Sequence, residues 1–159
     1  MDLNEFANNC VGKVKVYLYT PDELDIVLKI QEAQETLKYK ETDIQSEDVE
    51  KAKIKLAELK KEAEKTLQEL KMPTVTEETP YLVLSEMTIL EYDEIQKAKD
   101  DSFSVIKKIF PRKIIEHSFG SEVKNEQINA KLMESASIYN YVIEEWTKAF
   151  RLKKRTYAI

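Results

Sequence analysis

The stretch SEDVEKAKIKLAELKKEAEKTLQELK, residues 46–71, decides the fold class. Val49, Ala52, Leu56, Leu59, Ala63, Thr66 and Leu70 recur at alternating steps of three and four, which lines up one face of an α-helix over three heptads. Ser46 supplies an N-cap, and Met72-Pro73 closes the run, because the residue before a proline is pushed out of helical geometry. Acids and lysines fill the remaining positions. Glu47 and Lys51, Lys60 and Glu64, and Lys65 and Glu69 stand four apart, each pair worth ~0.2–0.5 kcal/mol. Pairs of that size solubilise a helix without holding it, so the apolar stripe needs a cover.

The preceding segment offers one. Thr20-Pro21-Asp22-Glu23 combines an N-cap threonine, a proline at the first helical position and the glutamate of a capping box. The helix it opens carries Leu24, Val27, Leu28, Ile30, Ala33 and Leu37, then fades into polar residues at 39–42. Folded back, residues 21–72 form a coiled-coil-like helical hairpin. Left open, they project and present the stripe to a partner or a second copy, with Ala52 and Ala63 allowing close approach. A hairpin uses only one face of the second helix. Ile54 and Leu67, off the main seam, therefore join Leu56, Leu59 and Leu70 as the residues expected to meet a partner.

Around this hairpin the pattern changes period. Val14, Val16 and Leu18 alternate with Lys15, Tyr17 and Tyr19 as in a half-buried strand over 13–19, and the apolar run 81–84 is its expected partner. Thr88-Ile89-Leu90-Glu91 is a second capping box, opening a helix through Tyr92, Ile95, Phe103, Ile106, Ile109 and Phe110 that breaks at Asp100-Asp101 and stops at Pro111. A last helix runs from Asn125 toward Leu152 on Ile128, Leu132, Ala136, Tyr139, Ile143, Trp146 and Phe150. The expectation is one mainly α domain over 1–159, a four-helix arrangement with the hairpin at 21–72, a helical core at 80–152 and a minor two-stranded β ribbon.

Composition narrows function mostly by exclusion. Charged residues are 35% of the chain and the net charge is -5, the wrong sign for a general nucleic-acid binder and too small for a DNA mimic. The two glycines, Gly12 and Gly120, stand far apart, so no phosphate-cradling loop is expected. Cys10 has no cysteine partner and His117 no second histidine, which removes a disulfide and the usual zinc spacings. Carboxylates lie among lysines, as on a solvated face, so no catalytic, cofactor or metal set is expected. With no secretory leader and no run of roughly 18 apolar residues, neither export nor membrane insertion is expected, which leaves the cytosol.

Two clusters near the end carry alternative readings. Lys148, Arg151, Lys153, Lys154 and Arg155 complement a helix C-terminal dipole, or attract nucleic acid or an acidic partner. Trp146 and Phe150, one turn apart beside Tyr139 and Tyr141, suit a core and also an interface hot spot.

Residues 103–150 carry a resemblance. The run Ile109-Phe110-Pro111-Arg112-Lys113-Ile114-Ile115-Glu116-His117-Ser118-Phe119, then Asn125-Glu126-Gln127-Ile128, then Tyr141-Val142-Ile143-Glu144-Glu145-Trp146, resembles the small tail assembly chaperones of tailed bacteriophages. The resemblance implies a mainly helical, non-enzymatic protein that self-associates and coats the tape-measure protein, in a bacterial or phage-infected host cytosol. Residues 46–71 have no counterpart in it. The alternative expectation is a small regulator, associated with nucleic acid through the basic residues or inhibiting a host protein.

Overall fold

The computed structural model describes residues 1–44 and 47–150, and the chain divides into two compact units. One comprises Met1–Leu18 and the chain from Glu78 onward; the other is Tyr19–Glu77.

The first unit is built on a three-stranded antiparallel sheet in the order β1-β2-β3. Strand β1 is Lys13–Tyr17, β2 is Tyr81–Ser85 and β3 is Ile114–His117. β1 and β2 pair in the register Val14↔Leu84 and Val16↔Leu82, so their apolar positions share one face. That face holds Val16, Leu82 and Leu84, which join Ile109, Phe110, Ile114, Ile128, Tyr139, Val142 and Trp146 in one buried cluster. β3 is added in a register that shifts between Val83 and Leu84. The expected two-stranded ribbon is thus a three-stranded sheet. The third strand is hidden in the sequence because Ile114-Ile115-Glu116-His117 follows a helix with no turn residue between them.

The expected four helices give way to a longer series, for local reasons. Helix α1, Leu3–Cys10, opens on a capping box between Asp2 and Glu5. Helix α2, Pro21–Lys38, and α3, Val49–Glu69, belong to the second unit. Helix α4, Ile89–Ala98, starts at the predicted box of Thr88 and Glu91. It is interrupted where Lys99 takes a positive φ of 49°, and a 3₁₀ turn at Lys99–Asp101 leads into α5, Ser102–Lys113. Pro111 sits inside α5 rather than stopping it: the ring forfeits one hydrogen bond a few residues before the helix ends anyway. The expected last helix is two, α6 at Asn125–Leu132 and α7 at Ala136–Ala149, because the Ser135 hydroxyl accepts from Ile138 N and starts the chain afresh.

Within the second unit α2 packs on α3. α2 begins as predicted, with Thr20 and Glu23 capping each other's backbone. α3 is capped by Asp48, whose carboxylate accepts from Lys51 N at 3.1 Å; the expected cap, Ser46, lies outside the described residues. Leu24, Val27, Ile30 and Ala33 are buried on α2, and Leu56 and Ala63 on α3. This is not the heptad ladder of a coiled coil. Leu59 is 44% exposed while Leu67 is partly buried, the reverse of the expected seam. At roughly 100° per residue, Leu67 lies only about 20° from Leu56 around the helix and Leu59 about 60° away on the opposite flank. Of the three expected ion pairs along α3, only Lys65–Glu69 forms among the described residues, at 3.9 Å.

Candidate partner-binding surface

The flank that Leu59 occupies is the wall of an open groove between α2 and α3, with a volume of about 310 Å³. Ala33 and Ala63, too small to fill the space between the helices, form its floor. Leu59 and Leu70 wall it, together with Thr36 and Thr66. The threonine hydroxyls turn back onto their own helices, Thr36 Oγ1 donating to Glu32 O at 2.9 Å and Thr66 Oγ1 to Glu62 O at 3.0 Å. Such back-bonding spends the hydroxyl locally, and the lining as a whole is about evenly polar and apolar.

Charge is confined to the rim. Lys29 is held by Asp25 at 2.9 Å and Glu69 by Lys65. Glu32 and Glu62 face the groove from opposite helices with no ion-pair partner among the described residues. The geometry is a mixed groove in which Leu59, Leu70 and two alanines stand beside two carboxylates that form no ion pair among the described residues, which suits an apolar side chain flanked by basic ones.

The residues singled out by sequence divide clearly. Leu59 and Leu70 meet in the groove. Leu56 is buried and Leu67 partly buried, and neither lines the groove. Ile54, 62% exposed, points about 200° around the helix from Leu56, away from the groove. Trp146 and Phe150 belong to the other unit and serve its interior. Trp146 is fully buried, its indole N–H donating to Ser85 O at 2.8 Å, and its ring meets Phe110 edge-on at 5.7 Å. Phe150 lies over Gly12, where any Cβ would sit 2.8 Å from its ring. Only glycine leaves room there. Lys148 is exposed in the last turn of α7, in favourable contact with the helix dipole; Arg151, Lys153, Lys154 and Arg155 lie outside the described residues. Sequence reasoning missed Glu32, Thr36 and Glu62, and it paired Ala63 with Ala52, whereas the groove is lined by Ala63 and Ala33, a residue read only as part of the apolar face of α2.

A second cleft, in the first unit, has a volume of about 360 Å³ and is lined by Phe119, Val123, Gln127, Ile128, Lys131 and Leu132. His117 holds its lip: Phe119 N donates to His117 Nδ1 at 3.2 Å and the two rings lie 6.1 Å apart. His117 thus has a structural task.

Two titratable groups among the described residues, Glu91 and Tyr139, depart from ordinary behaviour, and both are structural. Burial pushes the Glu91 carboxyl up, but hydrogen bonds from Lys113 and Thr88 and the Lys113 charge outweigh it and hold the group below its usual range. Tyr139, whose hydroxyl donates to Asn129 Oδ1 at 3.0 Å, is pushed up to about 12 by burial. Among the described residues no three His, Cys, Asp or Glu side chains are grouped to hold a metal, and no helix is long and apolar enough to cross a membrane. No protein-family model matches this chain, and neither a curated protein nor a solved structure does.

Proposed function

We propose that this chain is a non-enzymatic protein-binding factor whose α2–α3 groove takes an amphipathic helix with basic flanks. The observation that carries this reading is the groove of Leu59, Leu70, Ala33 and Ala63 beside the carboxylates of Glu32 and Glu62, which form no ion pair among the described residues. Helix-in-groove recognition works through one or two buried apolar anchors, with rim charges setting register and encounter rate. The resemblance of residues 103–150 to phage tail assembly chaperones makes a tape-measure protein the partner to try first.

Co-expression of the chain with a tape-measure protein, followed by co-purification and mass measurement, tests this. Leu59→Asp should abolish the complex, and Glu32→Lys with Glu62→Lys should weaken it roughly tenfold or more without changing helicity. Loss of binding through Ile54→Asp, with Leu59→Asp silent, would move the partner to the opposite face of α3. A regulator acting through its basic residues would instead bind a DNA or RNA oligonucleotide with a steep salt dependence.

A further inference from the structure

The strand order leaves β1 at an edge of the sheet. Which of its backbone groups face outward follows from the hydrogen bonds at its two ends. Glu86 N donates to Gly12 O at 3.0 Å, and Leu18 N donates to Pro80 O at 2.8 Å. In an antiparallel pair, bonded and non-bonded positions alternate, so Gly12, Val14, Val16 and Leu18 turn their backbones toward β2. The N–H and C=O groups of Lys13, Lys15 and Tyr17 then point away from the sheet, and no hydrogen bond among the described residues takes them up.

The side chains on this edge are equally one-sided. Lys13 and Lys15 are exposed on the face opposite Val14 and Val16, and neither makes an ion pair among the described residues. The Lys15 ammonium instead lies 4.1 Å from the centre of the Tyr81 ring and 5.2 Å from that of Tyr17. On a chain of net charge -5, this is an uncompensated positive strip beside an open row of backbone donors and acceptors. Edge lysines discourage a second copy, because two-fold pairing of β1 with itself sets lysine against lysine across the new ladder. The same lysines favour a strand with carboxylates opposite them.

We propose that the outer edge of β1 docks an extended protein segment in which acidic residues alternate with apolar ones, added as a fourth strand. Its carboxylates meet Lys13 and Lys15, and its apolar residues fall on the side of Val14 and Val16, where α7 packs against β1 and supplies the apolar surface that receives them. This surface is separate from the α2–α3 groove and does not depend on that reading.

The test uses the full chain and a capped heptapeptide of alternating glutamate and valine, with amide exchange followed by NMR. Binding should slow exchange at Lys13, Lys15 and Tyr17 by roughly tenfold or more while leaving Val14 and Val16 unchanged. A peptide N-methylated on the residues that face β1 should lose this effect, as should one with lysine in place of glutamate. Lys13→Glu with Lys15→Glu should reverse the preference in favour of the lysine peptide, an inversion that misfolding would not mimic. The proposal fails if both peptides bind alike, if N-methylation is tolerated, or if no protection appears at saturating peptide. Protection that instead grows with the chain's own concentration would assign the edge to a second copy and overturn it as well.

Discussion

Glu91 has two tasks. Its carboxylate accepts from Thr88 N at 2.9 Å, completing the cap of α4, and it pairs with Lys113 at the end of α5, both side chains nearly buried. Removing one member of a buried pair strands the other, so Glu91→Ala should cost roughly 3–5 kcal/mol in a denaturant titration, and adding Lys113→Met should recover part of the loss. Because folding lowers the Glu91 pKa, the stability it adds is complete above the ordinary value of 4.5 and is lost as pH falls through the folded value. The denaturation midpoint should therefore drop on acidification below about pH 4.5, and less so in Glu91→Gln. Tyr139 has the opposite sign. Its phenol is pushed up to about 12, so the contribution is full below the ordinary value of 10.0 and is lost as pH rises through the folded one. In an ultraviolet titration Tyr139 should ionise late, and Tyr139→Phe should remove that step while costing about 1–2 kcal/mol through the stranded Asn129. Neither environment was legible beforehand, because each depends on a partner more than nine residues away in sequence.

At the scale of elements, what the sequence revealed was local. The boxes of Thr20 with Glu23 and Thr88 with Glu91 sit three residues apart and start the helices they announce. The Asp2–Glu5 box has the same signature and starts α1. Junctions resisted because they are held from a distance. Asn125 Nδ2 donates to Pro111 O at 2.9 Å and to Ile114 O at 2.8 Å, binding the end of α5 to the start of β3. Asn125→Ala strands two partly buried carbonyls and should cost about 1–3 kcal/mol, read as a fall in thermal midpoint. Asp48→Ala should cost about 1 kcal/mol through the lost cap of α3, read in the same way. The candidate groove was half visible: its alanines and Leu59 stood in the pattern, but a seam of seven-residue period put Leu59 inside and Leu67 outside.

On the scale of the whole molecule, the second unit is inserted between two strands that are neighbours in one sheet. Leu18 and Pro80 are joined by a 2.8 Å backbone bond, so residues 19–79 leave and return at nearly one point. Replacing them with an Asn-Gly turn should leave the first unit folded, with Trp146 still buried and its fluorescence emission still blue-shifted; a red-shifted spectrum would show that the unit needs its insert. That arrangement was illegible in a linear reading, where the strands stand apart and the longest helix dominates.

The returning insert also links chain entropy to the pairing of β1 with β2. Closing an open loop of the length of 19–79 costs about 3 kcal/mol more in chain entropy than closing a two-residue turn. Pairing of α2 with α3 would shorten that loop before β1 meets β2, so the insert acts as a clamp on a slow step. A change that loosens the helix pair would then delay the sheet without touching it.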